Sequence, residues 1–375
     1  MTTIHLMTQI EFDAGAVKLL PEVLQTLGIR RPMFVTDRGI VDAGILSRLL
    51  ALLPLKPVTV FADTPANPTE DAVEAAVAMY RADGCDGLVA VGGGSPIDLA
   101  KGVALGATHE GPLSRYAGMA AMPLIGPQAA PLVAVPTTSG TGSEVGRGAL
   151  ICLRDGRKLV FASQHLLPKR ALCDPDLTRG MPPGLTAGTG MDAFTHCVEA
   201  FLSPRVNPPA EAIALDGAAR AWQWIERAVS TPDDGQARWE MMMAGVQGGL
   251  SFQKGLGAVH ALSHPLGALT SPSLHHGTVN AVILPAVLRF NESHVGTKYS
   301  RLRHAMGLPE SADLAGAVAA LNVRIGLPST LRSMRVPLEA RDRVVAGAMA
   351  DHCTPTNPRP PSARDYEDLF MEAYG

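Results

Sequence analysis

The first half of the chain alternates short runs of β-branched residues with longer amphipathic segments, and this pattern limits its possible folds more than any other. The runs that favour strands cover residues 32–36, 58–61, 87–91 and 132–135. Segments with helical spacing lie at 16–27, 69–82 and 96–107. Strand and helix in alternation predict an α/β domain, in which helices cover both faces of a parallel sheet.

The pattern changes at the sequence Pro182-Pro183-Gly184. Beyond it the strand signals fade, and Ala-, Leu- and Met-rich segments follow at 185–202, 210–229, 238–252 and 256–269. A chain of 375 residues also exceeds the usual size of a single core. We therefore predict two domains, an α/β domain at 1–181 and a helical domain at 182–375.

Composition argues against several classes of protein. The formal net charge is −3 and no basic run is present, so we expect no nucleic-acid partner. The N-terminus lacks the pattern of a signal peptide and no apolar stretch is long enough to span a bilayer, so we expect no membrane association. The cysteines form no CxxC pair, which favours reduced thiols in the cytoplasm; they are Cys85, Cys152, Cys173, Cys197 and Cys353.

Four residues of the second half have the chemistry of a divalent-metal site. Asp192 and His196 lie four apart on a predicted helix, so both side chains leave the same face. His260 and His276 follow later in the chain. Three imidazoles and one carboxylate suit Fe(II) or Zn(II) and are a poor set for calcium or magnesium. A single helical histidine is more often a core or surface residue, so the prediction depends on the whole set.

A glycine-rich turn in the first half is a candidate phosphate site. Gly92-Gly93-Gly94-Ser95 follows a predicted strand and precedes a predicted helix, whose free N–H groups can bind an anion. A purely structural turn between strand and helix is the alternative. The turn departs from the usual dinucleotide fingerprint, which has GxGxxG after the first strand.

Other polar residues follow predicted strands. Asp37 ends the first strong strand. A carboxylate at this position accepts hydrogen bonds from ribose hydroxyls and repels a 2′-phosphate, which favours NAD over NADP. The alternative is an aspartate that only forms the turn at the end of the strand. The loop at 136–144, PTTSGTGSE, is rich in hydroxyl donors. Asn67 precedes a proline and is either a third contact or an Asn-Pro turn.

Together, these motifs resemble the iron-containing (group III) alcohol dehydrogenase family over essentially the whole chain. The matching segments, in the family's order, are GGGSPIDLAK at 92–101, PTTSGTGSE at 136–144, GMDAFTH at 190–196, VHALSHPLGA at 259–268 and HHGTVNA at 275–281. The resemblance implies an α/β NAD-binding domain, a helical metal-binding domain and a cofactor bound in the cleft between them.

The resemblance also implies a role for individual residues. It makes Asp192, His196, His260 and His276 the metal ligands, with His276 chosen over His275 because it directly precedes the glycine. His264 matches a histidine close to substrate and nicotinamide, and we interpret it as a proton carrier. The residues implied to surround NAD are Asp37, Asn67, Gly94, Ser95, Thr137, Thr138, Thr141 and Lys158.

Two cations bear on the substrate. Arg147 and Lys254 lie in segments similar to those of the 4-hydroxybutyrate dehydrogenase branch, which implies oxidation of 4-hydroxybutyrate to succinate semialdehyde. A substrate carboxylate would partner a cation that is otherwise costly to bury. Alternatively, Arg147 pairs with Glu144, and Lys254 is a solvated charge at a helix end.

Other functions remain as alternatives. Within the oxidoreductases they are a medium-chain alcohol, diol or lactaldehyde dehydrogenase and, less favoured because the metal set is complete, a maleylacetate-reductase-like enzyme. A dehydroquinate synthase-like lyase would need more cations for a phosphorylated substrate, and a nucleotide-binding protein without activity would not need the metal residues. The family's habit implies a homodimer or a larger homo-oligomer.

Overall fold

A parallel sheet forms the centre of the first part of the computed structural model, which describes residues 8–54, 58–269 and 271–375. The strands, in chain order, are β1 (Gln9–Phe12), β2 (Pro32–Val35), β3 (Thr59–Phe61), β4 (Gly87–Gly92), β5 (Leu132–Pro136), β6 (Gly148–Cys152), β7 (Lys158–Ala162) and β8 (Arg170–Cys173). Six of them form the sheet in the order β1-β8-β5-β4-β2-β3, and β6 pairs antiparallel with β7. The four predicted strands are confirmed within one residue at each end.

Helices cover both faces of this sheet, as the alternating pattern predicts. They are α1 (Leu20–Thr26), α2 (Arg38–Asp42), α3 (Ile45–Leu50), α4 (Glu70–Ala82) and α5 (Gly94–Gly106). Successive side chains of β4 point to opposite faces: Leu88 and Ala90 pack in the core with α4 and α5, and Val89 and Val91 pack in the core with α1 and α3. The predicted α/β class is therefore confirmed.

The second part of the chain is helical. Its helices are α6 (Pro183–Leu202), α7 (Pro208–Ser230), α8 (Gly235–Ser251), α9 (Ala258–Gly267), α10 (His276–Asn291), α11 (Lys298–Met306), α12 (Leu314–Arg324), α13 (Arg341–Ala350) and α14 (Ala363–Tyr374). Every residue of α6 from Thr186 to Leu202 is buried, because α7, α8 and α10 pack around it. Among the described residues, no helix is long and apolar enough to cross a membrane.

The chain divides into an α/β unit, which extends to Thr138 and includes Ser143–Gly180, and a helical unit made of Ser139–Gly142 and Met181–Gly375. The predicted domains at 1–181 and 182–375 stay a prediction. The segment 139–142 lies in the predicted first domain, but it packs with α8. A Cβ on Gly245 would lie 2.9 Å from the backbone nitrogen of Gly140, so glycine permits this contact.

Helices α6 and α10 approach each other closely at two glycines. A Cβ on Gly277 would overlap the carbonyl oxygen of Gly188 and would lie 2.9 Å from Cβ of Asp192. Any larger side chain at Gly277 therefore pushes the two helices apart. The close approach places His276, the first residue of α10, beside Asp192 on α6.

We expect Gly277→Ala to destabilise the protein by about 1–3 kcal/mol, because the added methyl group overpacks the contact between α6 and α10. Urea unfolding would show a lower midpoint. Gly184→Ala, near the start of α6, is the control, since a Cβ there meets nothing within 4 Å. Equal midpoints for the two variants would contradict the proposed packing constraint.

Candidate metal centre and nucleotide site

The carboxyl ends of the parallel strands form a candidate ligand-binding edge in the α/β unit. Asp37 follows β2, Gly92 ends β4, and Thr137 follows β5 and donates its N–H to the carbonyl oxygen of Gly92 (3.0 Å). The chain leaves β2 toward β3 and leaves β4 toward β5, which are opposite directions across the sheet. Open α/β sheets bind ligands beside such a reversal.

The glycine-rich turn after β4 leaves backbone N–H groups free at the start of α5. Gly92 has a φ of 148°, and a Cβ there would lie 2.6 Å from Cγ of Pro96, so the turn requires glycine. Helix α5 begins at Gly94, and none of the described side chains caps its first N–H groups. These donors lie at the positive end of the helix dipole and suit a phosphate.

Three of the residues implied to bind NAD lie beside this turn. The ammonium group of Lys158 donates to Oδ1 of Asn67 (2.8 Å). The hydroxyl of Ser95 donates to the carbonyl oxygen of Ala66 (2.6 Å), the residue before Asn67. These contacts hold polar side chains from three separate segments in one cluster.

Asp37 is the N-cap of α2. Its Oδ1 accepts a hydrogen bond from the N–H of Ile40 (3.0 Å), which is the turn role that the sequence leaves open. Its Oδ2 makes no hydrogen bond to any described residue. Capping therefore occupies one carboxylate oxygen and leaves the second for a ligand.

The threonines of the hydroxyl-rich loop are divided between the two units. Thr137 and Thr138 belong to the α/β unit, and Thr141 belongs to the segment that groups with the helices. Within the α/β unit, a Cβ on Gly93 would lie 3.2 Å from Oγ1 of Thr138. Thr138 therefore lies directly beside the glycine-rich turn.

A buried lysine that the sequence analysis did not single out fixes the end of this loop. Lys101 has no exposed surface, and its ammonium group donates to the carbonyl oxygens of Ser143 (2.7 Å), Gly146 (2.9 Å) and Gly148 (2.6 Å). Asp98, three residues earlier on α5, accepts from the hydroxyl of Ser143 (2.5 Å). The available signal was the pair Asp98 and Lys101 on one face of the GGGSPIDLAK helix.

Arg147 follows this loop and is half-buried. Its guanidinium group has no hydrogen-bond or ion-pair partner among the described residues, and the pairing with Glu144 weighed in the sequence analysis is not observed there. Glu144 is itself buried, and burial raises its pKa to about 7. Arg147 is therefore a cation that is available to a ligand.

The helical unit brings together the four residues predicted as metal ligands. Oδ1 of Asp192 lies 4.0 Å from Nδ1 of His196 and 3.8 Å from Nε2 of both His260 and His276. Asp192, His196 and His260 are at most 5% exposed, and the His276 side chain is 23% exposed. The cluster is thus buried on α6 and α9 and reachable at α10. Its three nitrogen donors and one carboxylate fit a divalent transition metal.

Hydrogen bonds around this cluster orient the imidazoles. Nδ1 of His260 bonds to Oε2 of Glu199 (2.5 Å), and Oε1 of Glu199 accepts from the N–H of Val259 (2.8 Å). Nδ1 of His196 lies 3.3 Å from the carbonyl oxygen of Gly140. For His260, whose Nδ1 bonds to Glu199 and whose Nε2 faces Asp192, the lone pair is left on Nε2 for a metal. Burial also lowers the pKa of His260 well below its usual value, so the ring is neutral.

His275 and His276 have different roles. Nδ1 of His275 accepts from the N–H of Thr278 (3.3 Å), so His275 caps the start of α10. His276 is the residue whose Nε2 lies near Asp192. His275 is therefore the N-cap of α10, whereas His276, the first residue of the helix, belongs to the candidate metal centre.

His264 lies one turn after His260 and beside the cluster. Its ring stacks on His276 with centroids 5.6 Å apart, and on its other partner, His352, at the same distance. Nδ1 of His264 bonds to Oδ2 of Asp351 (2.8 Å). Sequence reasoning missed Asp351 and His352, which lie nearly ninety positions away and outside the motifs.

Lys254 caps a helix inside the protein. It is 1% exposed, and its ammonium group donates to the carbonyl oxygens of Ala200 (2.9 Å), Phe201 (3.1 Å) and Ser203 (2.7 Å) at the end of α6. Glu211 adds a carboxylate at 3.3 Å. All three N–H donors are engaged, so the structure gives no support to the predicted substrate contact. Lys254 does lie at a helix end, as the alternative interpretation has it, but it is buried and not solvated.

Asn280 is a further residue of the cluster that sequence reasoning did not single out. Its side-chain nitrogen lies 2.8 Å from Oδ1 of Asp192 and 3.2 Å from Nε2 of both His260 and His276. The signal was its place in HHGTVNA, four residues after His276 and so on the same face of α10.

Two family models match the chain. The family described as iron-containing alcohol dehydrogenase matches residues 7–175. The C-terminal part of the Fe-containing alcohol dehydrogenase family matches residues 186–374. The two matches together cover both the candidate nucleotide site and the candidate metal centre.

Individual relatives agree with these matches. The 4-hydroxybutyrate dehydrogenase of Cupriavidus necator is 55% identical over 381 aligned positions that cover 100% of both chains. The crystal structure of a 1,3-propanediol oxidoreductase, 34% identical, superposes with a TM-score of 0.93 and covers 100% of both chains. The crystal structure of sulfoacetaldehyde reductase from Bifidobacterium kashiwanohense in complex with NAD+ is 27% identical, with a TM-score of 0.90, and covers 100% of this chain and 98% of that one.

The raised pKa of Glu144 predicts a pH-dependent stability. In the unfolded chain Glu144 ionises near 4.5, whereas the folded protein holds the proton up to about 7, so stability falls as the pH rises between these values. Glu144→Gln removes this loss. We therefore expect urea unfolding to show the variant gaining stability over the unmodified protein across that window. Glu22→Gln, at an exposed position of α1, is the control; a constant difference for Glu144→Gln would contradict the prediction.

Proposed function

Since the chain belongs to the iron-containing alcohol dehydrogenase family, we propose that it interconverts a primary alcohol and its aldehyde with NAD, and that the substrate pair is 4-hydroxybutyrate and succinate semialdehyde. The convergence of Asp192, His196, His260 and His276 in the helical unit is the observation that carries the reaction type. The 55% identity to a 4-hydroxybutyrate dehydrogenase supports the substrate.

Asp192, His196, His260 and His276 would hold one divalent ion. The donor set accepts Fe(II) or Zn(II). We favour Fe(II) because the matching family is described as iron-containing over both parts of the chain. The ion, when bound, supplies a Lewis acid that polarises the C–O bond of the substrate. The protein's own contribution is to keep the four donors converged and largely shielded from water.

His264 would move the proton of the alcohol. Its Nδ1 is held by Asp351, so Nε2 is the atom that exchanges a proton with the substrate hydroxyl. The stacking of its ring between His276 and His352 fixes its orientation. Unlike His260 and His276, His264 makes no contact with Asp192 among the described residues, so it is set apart from the proposed ligands and would serve as a general acid or base.

The polar residues at the sheet edge would bind NAD. The N–H groups at the start of α5 suit the pyrophosphate, and Oδ2 of Asp37 is available to the adenosine ribose hydroxyls and disfavours a 2′-phosphate. The NAD+ complex of the related sulfoacetaldehyde reductase supports this cofactor. The residues we propose around NAD are Asp37, Asn67, Gly94, Ser95, Thr137, Thr138, Thr141 and Lys158.

Arg147 would bind the carboxylate of 4-hydroxybutyrate. A half-buried cation without a protein partner is unfavourable, and a substrate carboxylate would supply the missing charge-assisted hydrogen bond. Lys254 is left out of this proposal because its donors are already engaged. A diol or simple alcohol would give Arg147 no such partner.

We also propose that the protein acts in the cytoplasm as a homodimer or a larger homo-oligomer, without a nucleic-acid or membrane partner. The five cysteines are all free thiols, which suits a reducing compartment. The net charge of −3 supports the absence of a polyanionic partner. Size-exclusion chromatography with light scattering tests the oligomeric state.

The substrate proposal is tested by comparing kcat/KM for 4-hydroxybutyrate, 1-butanol and 1,3-propanediol with NAD and NADP. We expect the unmodified enzyme to prefer 4-hydroxybutyrate and NAD. Arg147→Met should lower kcat/KM for 4-hydroxybutyrate by about 10- to 100-fold, because one charge-assisted hydrogen bond is lost, and should leave that for 1-butanol unchanged.

The control for this experiment is Arg179→Met, because Arg179 lies in the same unit and pairs with Asp176 at 2.7 Å. An equal loss for acid and alcohol in Arg147→Met would exclude Arg147 as the carboxylate contact. A preference of the unmodified enzyme for 1,3-propanediol would assign the enzyme to the diol dehydrogenases instead.

His264→Ala should lower kcat by about 10²- to 10⁴-fold, the usual contribution of a general acid or base. Its metal content, measured by mass spectrometry of the digested protein, should stay at the level of the unmodified enzyme, because His264 is not among the proposed ligands. Full activity in this variant would contradict the proton role, and loss of the metal would make His264 part of the metal site.

A further inference from the structure

Asn280 lies beside three of the four proposed ligands without being one of them. It is fully buried on α10, one turn after His276. Its side-chain nitrogen faces Oδ1 of Asp192 at 2.8 Å and Nε2 of His260 and His276 at 3.2 Å each. An amide nitrogen carries two protons and no basic lone pair, so it does not bind a metal and can donate to only two of these three atoms at once; the shortest contact is the one to Asp192.

The Asn280 amide is oriented so that its nitrogen, and not its oxygen, faces the proposed ligands. Its Oδ1 is buried and has no hydrogen-bond partner among the described residues. The opposite orientation would turn that oxygen toward the Asp192 carboxylate, where two acceptors repel each other. A buried polar atom left unpaired is unfavourable, so the contacts of the Asn280 nitrogen have to offset this cost.

We propose that Asn280 is a positioning residue of the metal site. Its amide donates to Oδ1 of Asp192 and so fixes the carboxylate that all three imidazoles face. The single lone pair on Nε2 of His260 and of His276 would go to the ion, so the bond to the carboxylate is the contact that the loaded site would keep. This inference rests on the proposed function, because it assumes that these residues bind the ion. Loss of an outer hydrogen bond of this kind lowers metal affinity by about 10- to 100-fold.

Asn322 on α12 provides a matched control. It is also a buried asparagine of the helical unit, and its Oδ1 likewise has no partner among the described residues. Its side-chain nitrogen donates to the carbonyl oxygen of Ala281 (2.7 Å) and not to a proposed ligand. Asn280 and Asn322 are therefore similarly buried but donate to different acceptors, a proposed metal ligand in one case and a backbone carbonyl in the other.

The experiment compares Asn280→Leu and Asn322→Leu with the unmodified protein. Each is stripped, reloaded with Zn(II) alone and challenged with excess chelator, and zinc content and release rate are measured. We expect Asn280→Leu to release zinc about 10- to 100-fold faster than the unmodified protein. Asn322→Leu should release it at the unmodified rate, although both substitutions lower stability to urea.

Zinc release from Asn280→Leu at the rate of Asn322→Leu would overturn the inference and leave the proposed function intact. An unmodified protein that takes up no zinc here, and no iron when it is reloaded with Fe(II) instead, would overturn the proposed function itself. If Asn280→Leu does not fold, Asn280→Ser replaces it, since the shorter hydroxyl side chain does not reach Asp192, and the same release rates decide.

Discussion

The close packing of α6 against α10 is the constraint on which the candidate metal centre depends. The two helices are so close that a Cβ on Gly277 would overlap the carbonyl oxygen of Gly188, and a Cβ on Gly188 would lie 2.8 Å from Oγ1 of Thr278. That approach places His276 beside Asp192. His196 lies four residues after Asp192 on α6, so its side chain leaves the same face of that helix. The arrangement of the proposed ligands is therefore a consequence of helix packing at two glycines, which are not ligands themselves.

Burying imidazoles and a carboxylate in a helical core requires hydrogen-bond partners for them. Three imidazoles and a carboxylate in an apolar helical core would destabilise the fold if they were unpaired. Here Glu199 holds His260, the Gly140 carbonyl holds His196, and Asn280 donates to Asp192. The bond from His260 to Glu199 also leaves the lone pair of its Nε2 facing Asp192, so one contact serves both the stability of the core and the proposed metal binding.

Local spacing explains what the sequence predicts well. The four strands with β-branched runs and the pairing of Asp192 with His196 follow from periodicity within a single element. The residues that sequence reasoning missed act across the chain: Glu199 is 61 positions from His260, and Asp351 is 87 positions from His264. The buried capping by Lys254 depends on where α6 ends relative to that lysine, which no local pattern records.

The most direct test of the central claim is a crystal structure of the metal-loaded protein with anomalous diffraction data collected at the absorption edge of the metal. The account predicts one strong anomalous peak, bonded to Asp192, His196, His260 and His276. A peak bound elsewhere, with these four side chains hydrogen-bonded only to one another, would contradict it.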